Sequence, residues 1–193
     1  MNSKQHLILA VAVATCLATG LVGCDNADAP RTSGANGTKT GGTGKNVAAA
    51  ALPASTFLTE APSGAVPVSK LKASAKEGDE VTVRVVVGGR MKPFVADRAI
   101  MTVVDAGLAN ECVGPDAPCK TPWDYCCSAP EQLKPNLATV QIVDATGATM
   151  KVDLNASAKL KPAATVVVRG VVGPRPDPSA LVINATGIFV ETK

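Results

Sequence analysis

Four cysteines crowd into one short stretch of the sequence, CVGPDAPCKTPWDYCC, which begins at Cys112 and ends at Cys127. Cysteine sulfurs can hold a metal ion, exchange electrons or form disulfide bridges. Their spacing here is C-x6-C-x6-C-C. Structural zinc sites usually contain close C-x2–4-C pairs and thioredoxin-like redox sites contain C-x-x-C, so the spacing matches neither pattern. The choice between these chemistries therefore depends on the compartment in which the domain works.

The first residues of the chain indicate that compartment. A short polar segment carrying Lys4 precedes an apolar run over residues 7–22. This run is shorter than the ~20 residues that a membrane-spanning helix needs, and it is typical of an export signal. Leu21-Val22-Gly23-Cys24 resembles the lipobox of bacterial lipoproteins. The resemblance implies a signal peptide over residues 1–23 and a diacylglyceryl group on Cys24.

Such a lipoprotein would be anchored to a membrane of the cell envelope, with its domain in the periplasm or elsewhere outside the cytoplasm. Disulfides persist in such compartments. We therefore expect two structural disulfides among the four cysteines, and we keep a metal thiolate cluster and a labile redox pair as alternatives. Cys126 and Cys127 would point to opposite sides of an extended backbone, so each would pair backwards with Cys112 or Cys119. The connectivity stays open, and no metal or other cofactor is expected.

The cysteine-rich stretch also holds the only Trp and the only Tyr of the chain, Trp123 and Tyr125. Aromatic rings on a rigid loop could bind a sugar ring, a peptide or a partner protein. The alternative is that Trp123 plugs one end of the folded domain. Residues 122–127, Pro-Trp-Asp-Tyr-Cys-Cys, are similar to a pattern in uncharacterised bacterial envelope lipoproteins, which implies no activity.

Composition argues against an enzyme. The only histidine, His6, would be removed with the signal peptide, and with it the commonest general base and metal ligand. Asp105 and Asp144 each follow a β-branched run, where aspartate ordinarily forms turns. We expect no catalytic residues. Without Lys4 the processed chain has 18 basic and 16 acidic side chains, a charge of +2, which argues against a nucleic acid as partner.

Residues 24–66 are dominated by Ala, Gly, Thr, Ser and Pro, and they predict a lipidated N-terminus followed by a disordered, flexible tether. Residues 67–193 predict one folded domain that includes a cysteine-rich loop at 110–130. Short helices are expected at 69–77 and 155–162. Runs rich in Val, Ile and Thr predict strands at 80–87, 99–104, 139–143, 149–154, 165–172 and 181–190.

Residues 79–191 resemble OB-fold modules, particularly in Gly78-Asp-Glu-Val-Thr-Val-Arg-Val and Val166-Val-Val-Arg-Gly170. The resemblance implies a mainly β protein, namely a small Greek-key barrel with one or two short helices. An immunoglobulin-like sandwich is the alternative. Fold analogy alone does not establish function, and few aromatic residues are present to stack on bases.

The features together predict a membrane-anchored, non-enzymatic binding or interaction module with an envelope protein or glycan as partner. A first alternative is a thiol-disulfide or metal-handling protein that uses the four loop cysteines. A second is an oligonucleotide-binding OB-fold protein, whose basic face would use Arg84, Arg90, Arg98, Arg169 and Arg175.

Overall fold

A computed structural model describes residues 51–114 and 119–192. Cys24, the signal peptide and the first part of the expected tether lie outside the described residues. Two α-helices and five strands are present in the described part. They are α1 (Val68–Ser74), β1 (Glu80–Val87), β2 (Ile100–Asp105), α2 (Pro130–Asn136), β3 (Leu137–Gln141), β4 (Thr165–Val172) and β5 (Val182–Val190).

Strand β1 shows why this sequence forms a barrel. Val81, Val83, Val85 and Val87 are all buried, and the residues between them are exposed or partly exposed. Because successive side chains of a strand point to opposite faces, this alternation places one face in the core and leaves the other to solvent. β-branched side chains also pack well on a pleated surface.

The strands close into a barrel in the order β1-β2-β3-β5-β4, with β4 returning to pair with β1. β3 and β5 are parallel, and the other neighbouring pairs are antiparallel. A bulge between Arg169 and Gly170 bends β4 where a Cβ on Gly170 would stand 2.4 Å from the Asn184 carbonyl oxygen. The prediction of a mainly β, OB-fold-like barrel with two short helices is therefore confirmed.

Two predictions of secondary structure are wrong. Residues 149–154 do not form a strand, because after the turn at Asp144 only an isolated bridge joins Thr149 to Val143. The expected helix at 155–162 reduces to a single 3-10 turn, Leu154–Ala156. Asp153 stabilises that turn by accepting a hydrogen bond from the Asn155 amide.

Helix α2, which lies between β2 and β3, was not expected. It contains Pro130 and Pro135, and proline is a poor helix former. Pro130 is tolerated because the first turn of a helix leaves its amide groups without intrahelical partners. The helix ends at Asn136, and the next residue starts β3.

The compact part of the chain begins before Pro67, the expected start of the folded domain. Thr56 is buried, and the Leu58 amide donates to the Ile188 carbonyl at 2.9 Å. Further along, the Val66 amide donates to the Thr82 carbonyl at 2.9 Å. Residues 51–66 therefore pack on the barrel, and the expected tether can extend only over earlier residues. Among residues 51–114 and 119–192, no helix has the length and apolar character required to cross a bilayer.

The end of β2 also positions the start of helix α1. Asp105 is buried, and its Oδ2 accepts a 2.7 Å hydrogen bond from the Val68 amide, which is an N-terminal helix amide. Its Oδ1 accepts from the Gly107 amide at 2.8 Å. Asp105 thus serves both as a turn former, as the sequence predicts, and as a helix cap. Ser69 makes no such cap.

Candidate metal centre

The four cysteines of the loop come together in space. Their sulfur atoms all lie within 4.8 Å of one another. Cys126 Sγ is 3.1 Å from Cys119 Sγ, 3.7 Å from Cys112 Sγ and 3.8 Å from Cys127 Sγ. One sulfur therefore has the other three as close neighbours.

This arrangement fits the coordination shell of one tetrahedral ion. A Zn–S bond of about 2.3 Å places neighbouring sulfurs about 3.8 Å apart at the corners of a tetrahedron. Two of the three distances from Cys126 match that edge, at 3.7 and 3.8 Å, and the third is shorter, at 3.1 Å. An S–S bond is only about 2.05 Å long. None of the four described cysteines is in a disulfide, so the expected bridges stay a prediction.

A left-handed residue brings the adjacent cysteines to the same side. Tyr125 has φ 57° and ψ 31° and follows the 3-10 turn Pro122–Asp124. The chain then turns through Cys126 and Cys127 instead of extending. The sequence-based expectation that these two side chains point to opposite sides assumed an extended backbone. The backbone forms a turn at Cys126 and Cys127, so the expectation does not apply.

Asn110 joins the two ends of the cysteine loop. Its Oδ1 accepts a 2.9 Å hydrogen bond from the Cys112 amide. Its Nδ2 donates to the Pro122 carbonyl at 2.8 Å. The Cys127 amide in turn donates to Cys112 Sγ at 3.1 Å, a contact that stabilises a sulfur bearing negative charge. Sequence reasoning missed Asn110, although an asparagine two residues before a cysteine is typical of a side-chain-closed turn.

Asp124 supports the cysteines on the other arm of the loop. Its Oδ2 accepts from Thr121 Oγ1 at 2.8 Å, and its Oδ1 accepts from the Cys126 amide at 2.9 Å. Partial burial acts to raise the pKa of the Asp124 carboxyl, but the hydrogen bonds from Thr121 and Cys126 outweigh it and lower the pKa. The carboxylate is therefore ionised at neutral pH and holds the Cys126 backbone in place.

Two glycines at the end of β1 let the loop dock on the barrel. A Cβ on Gly88 would stand 2.2 Å from the Trp123 carbonyl oxygen, and the Gly89 amide donates to that oxygen at 2.7 Å. The Trp123 indole is half-buried, and its Nε1 donates to the Met91 carbonyl at 3.2 Å. Tyr125 is only 2% exposed. A ligand could therefore reach the Tyr125 ring only if the loop opened.

The thiols of Cys112, Cys119 and Cys126 differ in acidity. Burial is the largest cause that raises the pKa of Cys112, to about 11. A hydrogen bond from Cys126 lowers the pKa of Cys119, and the same bond raises the pKa of Cys126. Cys119 therefore forms a thiolate more readily than Cys112 or Cys126. Because thiolates bind metal ions and thiols do not, an incoming ion must displace protons from Cys112 and Cys126.

Comparison with protein-family models, curated proteins and solved structures finds no match to this chain. The arrangement of the cysteines therefore carries the functional argument by itself. Four sulfurs within 4.8 Å of one another can hold one soft metal ion, or they can be oxidised in pairs.

Proposed function

We propose that this protein is an exported, lipid-anchored binding module whose ligand is a single metal ion held by Cys112, Cys119, Cys126 and Cys127. The observation that carries the proposal is the close approach of all four sulfurs, within 4.8 Å. The proposal keeps the non-enzymatic binding role expected from the sequence and takes its ligand from the metal-handling alternative. It departs from the expectation that no metal is bound.

The distribution of distances favours an ion over two bridges. Disulfides would join the sulfurs in pairs, so each sulfur would have one partner much closer than the others. Cys126 instead has three sulfur neighbours between 3.1 and 3.8 Å. In a tetrahedral site with four sulfur ligands, each sulfur likewise has the other three as neighbours.

The donor set indicates the class of metal. Four thiolates form a soft ligand set, which favours Zn²⁺, Cu⁺ or iron over hard ions such as Mg²⁺ and Ca²⁺. A closed set of four ligands in tetrahedral reach is the usual arrangement for Zn²⁺. We therefore take Zn²⁺ as the first ion to test.

The lipid anchor is part of the proposal and is supported by the lipobox-like sequence that ends at Cys24. Two acyl chains provide stable membrane attachment, whereas one chain binds only marginally. In an oxidising compartment the ion would also protect the thiolates, because a thiolate bound to metal is a poorer nucleophile than a free one. Metal binding and bridge formation would thus compete for the same sulfurs.

Two of the five arginines that could form a nucleic-acid face are engaged with other groups. Arg84 makes two hydrogen bonds to the Glu191 carboxylate, at 2.6 and 2.7 Å. Arg175 donates to backbone carbonyls of Lys72, Ala75, Pro178 and Ala180. These contacts weigh against the oligonucleotide-binding alternative, since a phosphate would have to displace them.

Reconstitution with Co²⁺ tests the metal site directly. The reduced full-length protein is titrated with Co²⁺ under anaerobic conditions and then with Zn²⁺. We expect one equivalent of Co²⁺ to give intense sulfur-to-metal charge-transfer bands and tetrahedral ligand-field bands, and one equivalent of Zn²⁺ to remove them. Each Cys→Ser variant should weaken the bands. If the spectrum remains that of the hexaaquo Co²⁺ ion at every ratio of Co²⁺ to protein, the proposed site is refuted.

A further inference from the structure

The cysteine cluster lies outside the hydrophobic core that holds the barrel together. The core cluster of the described residues contains side chains from all five strands and from helix α1, and it contains no cysteine. The barrel is closed by backbone pairing that does not involve the loop. The domain therefore has what it needs to fold before an ion binds, in contrast to small zinc domains, whose folding depends on the metal.

The four sulfurs are not equally accessible. Cys112 is 2% exposed, Cys119 is partly exposed, and Cys126 and Cys127 are exposed. The buried Cys112 Sγ also accepts a 3.1 Å hydrogen bond from the Cys127 amide. An ion at the centre of the cluster would thus be anchored on its buried side and would present the other three ligands to solvent.

We propose, resting on the proposed function, that the ion is cargo, exchanged with an external thiol ligand through the exposed face formed by Cys119, Cys126 and Cys127. Cys112 is the anchor that releases the ion last. The acceptor or donor is a thiol-bearing molecule, either a small thiol or a protein with a cysteine metal site. Because Cys119 is partly exposed and Cys126 and Cys127 are exposed, an external thiol can approach the ion from that face.

The exchange step involves no change of oxidation state. The sulfur of the external thiol forms a bond to the ion, and the bond between the ion and Cys126 Sγ breaks. The proton lost by the external thiol passes to the released Cys126 sulfur, so charge and atoms balance. Repetition at Cys127 and Cys119 leaves the ion attached to Cys112, and a last exchange frees it. Reversal of the same steps loads the site.

Chemical rescue distinguishes the exposed face from the buried anchor. Cys126→Ser removes a ligand that is exposed to solvent, and Cys112→Ser removes the buried ligand. Zinc content is measured in both variants with reduced glutathione, and with S-methylglutathione as the matched probe that lacks a thiol. Glutathione should raise the zinc content of Cys126→Ser several-fold. It should leave the zinc content of Cys112→Ser unchanged, since the position of the missing Cys112 sulfur is buried and glutathione cannot reach it. S-methylglutathione should restore neither variant.

The wild-type protein supplies a second readout. The zinc-loaded full-length chain is mixed with a chromophoric chelator, and zinc release is followed as glutathione is increased. The release rate should rise in proportion to the glutathione concentration, and the metal-free chain should keep its far-UV circular dichroism and its cooperative unfolding. Release that is independent of glutathione, equal rescue of both variants, or unfolding without metal would overturn the cargo role while leaving the metal site intact. Failure of the wild type to bind zinc would instead refute the proposed function itself.

Discussion

The carbonyl oxygen of Trp123 lies directly against the α-carbon of Gly88, only 2.2 Å from the place that a Cβ would occupy. The cysteine loop therefore touches the barrel through backbone atoms at the end of β1. The neighbouring Gly89 amide completes the contact with its 2.7 Å hydrogen bond to the same oxygen. Both glycines follow Val87, so the strand that starts the barrel also supplies the docking point of the cysteine loop.

Replacing Gly88 by alanine should separate the loop from the barrel. A Cβ in contact with backbone cannot be accommodated by a change of rotamer, so the Trp123 segment must move. We expect Gly88→Ala to lower the free energy of unfolding by about 1–3 kcal/mol and to weaken zinc binding. Urea denaturation and a zinc competition titration measure the two effects. Gly114→Ala is the matched control, because a Cβ there meets no atom of the described residues within 4 Å. An equal effect of both variants would contradict the docking role.

Asn110→Ala should weaken metal binding more than it weakens the fold. The variant loses the bonds to the Cys112 amide and the Pro122 carbonyl, so the loop is no longer preorganised around the sulfurs. Loss of such supporting hydrogen bonds typically costs about 10–100-fold in metal affinity. Zinc competition titration gives the affinity, and thermal unfolding of the metal-free chain gives the stability. Asn136→Ala, at the end of helix α2, should leave the affinity unchanged, and an equal loss in both variants would exclude a specific role for Asn110.

Arg175→Lys should destabilise the barrel although the charge is kept. The guanidinium satisfies the Lys72 and Ala75 carbonyls at the end of helix α1 and reaches the Pro178 and Ala180 carbonyls. An ammonium group cannot reproduce this fork geometry. An unsatisfied carbonyl costs about 1–3 kcal/mol, so we expect a lower urea midpoint. Arg98→Lys, at an exposed position, is the control; identical midpoints for wild type and Arg175→Lys would show that the contacts contribute nothing.

The ion pair of Arg84 with Glu191 should make a small, pH-dependent contribution to stability. Hydrogen bonding from Arg84 is the main cause that lowers the pKa of Glu191. Because the folded-state pKa is depressed, the contribution is present above the unfolded value of about 4.3 and is lost as pH falls through the folded value. The pair is partly exposed, so we expect less than about 1 kcal/mol. The unfolding temperature of Glu191→Gln should differ from that of the wild type at pH 7, and the difference should shrink as pH falls through the folded pKa of Glu191. A difference that stays constant in acid would contradict this assignment. The exposed Glu77→Gln is the control and should show no difference.

Residue alternation explains why the barrel could be predicted from the sequence. The expected strands at 80–87 and 165–172 agree with β1 and β4, because their valines alternate or run continuously between turn residues. Helix α2 escaped prediction because Pro130 and Pro135 lie within it, and the tertiary environment overrode propensity. The run at 149–154 has strand-forming residues but pairs only at Thr149.

The cysteine cluster shows a different limit of sequence reasoning. The spacing identified the four reactive residues, but it could not show that Tyr125 adopts a left-handed conformation and turns Cys126 and Cys127 to one side. A positive φ is rare for a tyrosine, so no local pattern signals it. The contact of Trp123 with Gly88 joins segments far apart in sequence and could not be predicted from either segment alone.

The most direct test of the central claim is the intact mass of the processed protein isolated from membranes without reductant or chelator. The spectrum is recorded first under native conditions and then under denaturing, non-reducing conditions. The metal-site account predicts one bound ion per chain in the native spectrum and, after denaturation, the mass of the lipidated chain with all four loop cysteines as thiols. A metal-free native mass, with a denatured mass lower by the hydrogens of two disulfide bridges, would contradict it.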